Sequence, residues 1–279
     1  MELPSICFVF PYIFMAFFII IHIVIFLLII KFVQNVEKLP FLWGMINWTI
    51  AIGIIFCVIG SFIEFNTWSL QLLRCFIGGT IPPITEDVGR LIVFLFIYKS
   101  KNHNFNNSLM FGAGHGGWES IVLLSINQIK NLIIFNEIKN AKNEKELEEN
   151  GLDEIYDKYK NGVPGDEIFG FIIRFGGNLF HIGATIIAYR LSLNRKEKKY
   201  IIYFIILFII HFITDTFGQF SALYKLNFWF NLIGIGLDIV IIVISWLVWK
   251  ENNNKEYSDY NFENNETIIA LGNMEDKDK

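Results

Sequence analysis

The sequence predicts an all-α fold, a polytopic transmembrane helix bundle of about seven spans. Of its 279 residues, 53% are hydrophobic and 18% charged, whereas soluble domains carry about a quarter charged residues. Mean hydropathy is +0.45. The apolar residues also gather into runs of about 20, the length a helix needs to cross a hydrocarbon core roughly 30 Å thick. A soluble enzyme and a disordered chain are both excluded on these grounds. The net charge of −4 offers no basic face for nucleic acid, so the expected surroundings are a lipid bilayer.

Seven runs meet the length requirement: residues 7–31, 41–63, 70–98, 107–128, 167–190, 200–217 and 228–249. The first reads as a permanent span and not a signal peptide: it has no basic leader, its apolar run is too long and no small-residue cleavage site follows. Lys and Arg set the orientation. They follow spans one, three, five and seven (Lys31 and Lys38; Lys99 and Lys101; Arg190 to Lys199; Lys250 and Lys255), while the turn after span two has none and the turn after span six only Lys225. This pattern predicts an outside N-terminus and a cytosolic C-terminus in a plasma membrane. The charged connection 129–166 would lie outside as an extramembrane loop. It reads as a solvated connector in preference to a surface helix or lid. The tail 251–279, rich in Asn, Glu, Asp and Lys, reads as disordered. Residues 1–250 form one integral membrane domain without internal repeats. Cys7, Cys57 and Cys75 lie in apolar stretches and read as buried small hydrophobes.

Charges are costly in hydrocarbon, so intramembrane ionisable residues mark functional candidates. Span three contains GGTIPPITEDVGR. Gly78, Gly79, Pro82 and Pro83 are expected to break the helix, which restarts with Glu86 and Asp87 in a first turn favourable to negative charge. Arg90 follows Glu86 by four residues, on the same face. Span four contains GAGHGGWES, with His115 and Glu119 four apart on one face. Its glycines suit close approach of a neighbouring backbone and leave space beside the imidazole. Span five carries FHIGATI with His181; span six carries HFITD, with His211 and Asp215 again four apart. At 1.5 Å per residue, Glu86, His115, His181 and His211 lie about 18, 12, 14 and 16 Å from the cytosolic face, so they share one layer and one expected site. His22 and His103 fall outside these pairings and read as structural or solvent residues. Arg174 and Asp238 read as span-to-span ion pairs, and Glu64 as an exposed span end.

The ordered set EDVGR, GAGHGGWES, FHIGATI and HFITD resembles the YhfC family of intramembrane peptidases, related to the CPBP (CAAX-processing and bacteriocin-processing) and PrsW membrane proteases. The similarity runs from about residue 70 to 220, and the Gly-rich GxGHGGxE segment is its most specific part. Family members usually carry EExxR, whereas here the second acid is Asp87. The resemblance implies a CPBP-protease-like core with Glu86 as base, His115 and His211 as its partners, His181 matching the family histidine of span five and Asp215 the last polar position.

Peptide hydrolysis needs an activated water, a stabiliser for the oxyanion and a proton for the leaving amine. Glu86 could serve as base, an imidazole from His115 or His211 could hold the oxyanion, and His181 would complete the group. Glu119 and Asp215 would orient the imidazoles. The favoured expectation is this metal-free, glutamic-type endopeptidase acting on a membrane protein or lipid-proximal peptide. The alternative is a zinc protease with the ion among His115, His181 and His211 and an open position for water. A rival of another class is an ion- or proton-coupled transporter, or an inactive membrane scaffold.

Overall fold

The computed structural model describes residues 2–33, 36–60, 68–98, 105–224, 229 and 232–251. Glu64, His103 and the expected disordered tail beyond Glu251 lie outside the described residues, as does the side chain of Cys57. Cys7 and Cys75 are free and buried, as small hydrophobes should be.

Among the described residues all regular structure is helical, in agreement with the expected class. The helices are α1 (Ser5–Phe32), α2 (Leu39–Gly60), α3 (Trp68–Pro82), α4 (Val88–Ile92), α5 (Asn107–Asn140), α6 (Glu144–Glu149), α7 (Asp153–Tyr159), α8 (Gly165–Leu193), α9 (Lys198–Tyr224) and α10 (Leu232–Glu251). Four are long and apolar enough to cross a membrane: α1, α5, α9 over Lys198–Ser221, and α10. The expected count of seven is not reached by this measure. The other three expected spans fall on α2, on the helical run containing α3 and α4, and on α8. Large apolar side chains stand exposed along these helices, among them Ile20, Ile50, Phe96 and Ile202. So much apolar surface is sustainable only where the solvent is itself apolar. The protein is an integral membrane protein.

The expected helix break in span three does not occur. The chain stays helical through both prolines: Pro82 has φ −56° and ψ −52°, and Pro83–Asp87 forms a wider π turn that joins α3 to α4. A π turn shifts the hydrogen-bond register by one residue, which accommodates the donor that proline lacks. Glu86 and Asp87 therefore sit inside a continuous helical run, and no helix start provides the dipole expected to stabilise them.

Helix α5 is the central element, packed against α1, α2 and α8, while α3 lies against α9. Glycines make these approaches possible. A Cβ at Gly112 would meet the backbone of Ile182 on α8, and one at Gly114 the carbonyl of Phe41 on α2. The close-approach reading of the Gly-rich segment thus holds. Open space beside the His115 imidazole does not, because that side chain is fully buried; Asn178 and the His181 Cβ pack on the neighbouring Gly116. His22 presses its ring against Gly117 and contacts the Phe18 carbonyl through Nδ1 at 2.6 Å, so it is a packing residue of this seam.

The segment 129–166 first continues α5 to Asn140 and then forms α6 and α7. Leu147, Leu152 and Tyr159 bury against Leu3, Cys7, Phe135 and Ile138. The charged stretch is a pair of docked short helices, and the connector expectation gives way to the helical one. Apolar burial explains this, since its leucines and tyrosine find a surface left open by the ends of α1 and α5.

Candidate active site

The π turn and α4 supply Glu86, Asp87 and Arg90; α5 supplies His115 and Glu119; α8 supplies His181; α9 supplies His211 and Asp215. The structure brings all eight together. His115 Nε2 lies 3.0 Å from Glu86 Oε2, and His181 Nδ1 lies 3.8 Å from the same oxygen. The His115 and His181 rings are 4.8 Å apart, and those of His181 and His211 6.1 Å. All are buried. Residues from four helical segments thus form one connected polar group.

Arg90 organises it. Its side chain is 0% exposed, and its guanidinium donates to Asp87 Oδ1, to Glu86 Oε2 at 3.3 Å and to His181 Nδ1 at 2.6 Å. A guanidinium cannot accept a hydrogen bond, so His181 Nδ1 accepts and its proton resides on Nε2. Asp87, whose role the sequence pattern left open, bridges Arg90 and His211: its Oδ2 is 2.9 Å from His211 Nδ1. His211 Nε2 is 3.3 Å from Asp215 Oδ2. A ring donating from both nitrogens satisfies both carboxylates.

On the other side, Glu119 Oε1 accepts from Arg174 at 3.1 Å, the inter-helix ion pair expected of that arginine. Glu119 Oε2 lies 2.7 Å from His181 Nε2 but off the line of a hydrogen bond, and this buried oxygen has no hydrogen-bond partner. One ligand atom each from Glu86, His115, Glu119 and His181 lie within 4.8 Å of one another. This differs from the expected three-histidine metal set. His211 is turned to Asp87 and Asp215, while Glu119 stands beside the other two imidazoles.

Sequence reasoning passed over Asn47 of α2, which is buried and places Nδ2 3.3 Å from His115 Nδ1 and 3.4 Å from the Glu86 carbonyl. The signal was available, since an asparagine in the apolar run WGMINWTI is itself an intramembrane polar residue. Asn178, one helical turn before His181, accepts from Ser120 at 3.0 Å and was likewise unremarked. A cavity of about 520 Å³ opens onto the group, lined by Glu86, Glu119, His181, His211 and Asp215 with apolar walls from Trp48 and Phe180. His115 lies behind it, fully buried.

The family model described as YhfC intramembrane metalloprotease matches residues 17–235. The chain belongs to the YhfC intramembrane metalloprotease family. No curated protein and no solved structure matches it. Membership of the YhfC family makes the chain an intramembrane protease acting on peptide within the membrane.

Proposed function

We propose that this chain is a metal-dependent intramembrane endopeptidase in which His115, His181 and Glu119 hold a divalent ion and Glu86 is the base. The observation that carries the reading is the cluster of ligand-type atoms from Glu86, His115, Glu119 and His181, all within 4.8 Å of one another. Imidazole nitrogen and carboxylate oxygen suit zinc. Together with the family's description, this favours the zinc alternative over the metal-free glutamic mechanism that the sequence alone suggested. It also supports protease chemistry over the transporter and scaffold readings.

When bound, zinc supplies Lewis acidity to the scissile carbonyl and to water. The chain's own residues do the rest. Glu86 takes a proton from water as the water oxygen bonds to the carbonyl carbon, then passes that proton to the amide nitrogen as the C–N bond breaks. His211 lines the cavity, and its Nε2–H could turn to the developing oxyanion by giving up the 3.3 Å contact with Asp215, while Asp87 keeps Nδ1. Asn47 orients His115. A ligating Nε2 requires the ring to donate from Nδ1, so the Asn47 amide, which now presents Nδ2 to that atom and to the Glu86 carbonyl, would have to turn over to accept through its oxygen. His181 would ligate through Nε2 only with its proton moved to Nδ1, in which case it would give up the contact from Arg90, and Arg90 would keep its two carboxylates.

Metal analysis tests the assignment. Protein purified with zinc should hold about one ion per chain, lost in Glu119→Gln and His115→Ala and removed by a chelator together with activity. Full cleavage by chelated, zinc-free protein would return the glutamic mechanism to the front.

The lysine and arginine bias supports a cytosolic C-terminus in the plasma membrane. A reporter fused after Lys250 should be active only in the cytosol, and activity on the outside would invert the orientation.

A further inference from the structure

The cavity is wide for a reason that packing does not supply. Gly170 and Gly177 of α8 and Gly218 of α9 line it, and a Cβ at any of them would meet nothing within 4 Å. Gly234 lines it as well, beside residues of α10, with only a Thr214 methyl at 3.6 Å. These glycines differ in kind from Gly112 and Gly114, which a neighbouring backbone requires. A helix-interior glycine costs about 1 kcal/mol relative to alanine, so several that serve no contact mark space kept for something else.

The charged groups facing that space are nearly all committed. Arg174 is paired with Glu119, Glu86 with Arg90 and His115, and His211 and Asp215 with each other. Asp238 of α10 is the exception. It was expected to pair across spans, but among the described residues it has no hydrogen bond or ion pair. Even so, it is only 8% exposed and lines the same cavity as His181 and His211. It also lies just beyond the stretch that matches the family. Its nearest charged neighbours across the cavity, His181 and His211, make no direct contact with it, and a buried carboxylate without a direct hydrogen bond or ion pair is unfavourable until a cation or donor reaches it.

We infer that the glycine-widened cavity is a specificity pocket for a cationic substrate group, with Asp238 as the recognition residue. The inference deepens the protease reading and rests on it. The shared chemistry is an ammonium or guanidinium carried on a flexible stem. Its stem fills the width left by the glycines, its charge meets Asp238, and the backbone lies towards Glu86 and His211. The cation has two possible sources, a Lys or Arg side chain near the scissile bond or a free N-terminal ammonium.

The test uses full-length protein in phosphatidylcholine vesicles with zinc. The probes are synthetic single-span peptides that carry lysine, its uncharged isostere norleucine, or glutamate at one scanned position, each with a free or acetylated N-terminus. Binding is read by a fluorophore on the peptide, and cleavage in parallel. We expect lysine to be preferred over norleucine by about tenfold in binding, the size of one desolvated charge pair. Glutamate should be rejected. Asp238→Asn should bring the lysine-to-norleucine ratio close to one, and Asp238→Glu should restore it. Tighter binding of free than of acetylated norleucine peptides would assign the cation to the N-terminus; a lysine preference that persists on acetylation assigns it to the side chain. Equal binding of lysine and norleucine peptides together with equal binding of free and acetylated ones by the unaltered protein overturns the inference, and this outcome does not depend on Asp238→Asn folding. A preference that survives Asp238→Asn overturns it too, as does a change in zinc content without a change in peptide preference. If lysine is preferred through Asp238 but no peptide is cut, the pocket stands and the protease reading falls.

Discussion

Glu86→Gln is expected to abolish peptide cleavage while leaving the protein folded and its zinc content near that of the unaltered chain. The amide keeps the shape of the carboxylate, and its oxygen can still accept from Arg90 or His115, the two groups that contact Glu86 Oε2. What it lacks is basicity. General acid–base assistance is typically worth about 10²–10⁴-fold in rate, so cleavage of a single-span peptide should fall by at least the lower figure. Glu119→Gln differs in the second readout, because it should lose the ion as well as the rate. The pair separates a base from a ligand, two roles that lie within one 4.8 Å cluster. Cleavage by Glu86→Gln at the original rate would remove Glu86 from the mechanism. His22→Ala is a poor control for this series. Although it was read as a bystander, its ring packs on Gly117, two residues from His115.

Arg90→Ala should cost the fold itself. Its fully buried guanidinium holds Glu86, Asp87 and His181, and its removal leaves carboxylates without their counter-charge in a low-dielectric interior. Stranding one member of a buried pair costs about 3–5 kcal/mol, a large share of a domain's total stability. The yield of monodisperse protein in detergent and its melting temperature should both drop sharply, with activity lost as a consequence. Arg90→Lys keeps the charge but not the planar fork that spans two carboxylates and an imidazole, so it should recover yield more than activity. A normal melting temperature for Arg90→Ala would show that the carboxylates are solvated or protonated, and that the arginine is not their anchor.

Much of this was legible in the one-dimensional chain. Apolar runs must be helices in a bilayer, because a backbone without water has to satisfy its own hydrogen bonds. The intramembrane acids and histidines had to be grouped, because isolated charges there are too costly. Rise per residue then set them at one depth, and Glu86, His115, His181 and His211 do lie within a few ångströms of a neighbour in the group. The spacing of four between His115 and Glu119 correctly put both on one face of α5.

Other features needed the third dimension. Proline chemistry says that a donor is missing at Pro82 and Pro83, but not whether the helix breaks or widens. The π turn is a choice made by packing between α3 and its neighbours, and it decides where Glu86 and Asp87 point. Ligand grouping likewise depends on which face each helix turns inward. Depth alone made His211 equivalent to His115 and His181, whereas rotation of α9 hands it to Asp87 and Asp215 and leaves Glu119 beside the other two. Asn47 became part of the site only because Gly114 lets α2 approach α5 closely. Of the two residues expected to pair across spans, Arg174 does so with Glu119, whereas Asp238 has no ion pair among the described residues. Sequence periodicity determines which residues share a helix face and a level in the membrane. Rotation and approach between helices, set by side-chain volume at the seams, decide which of those residues touch.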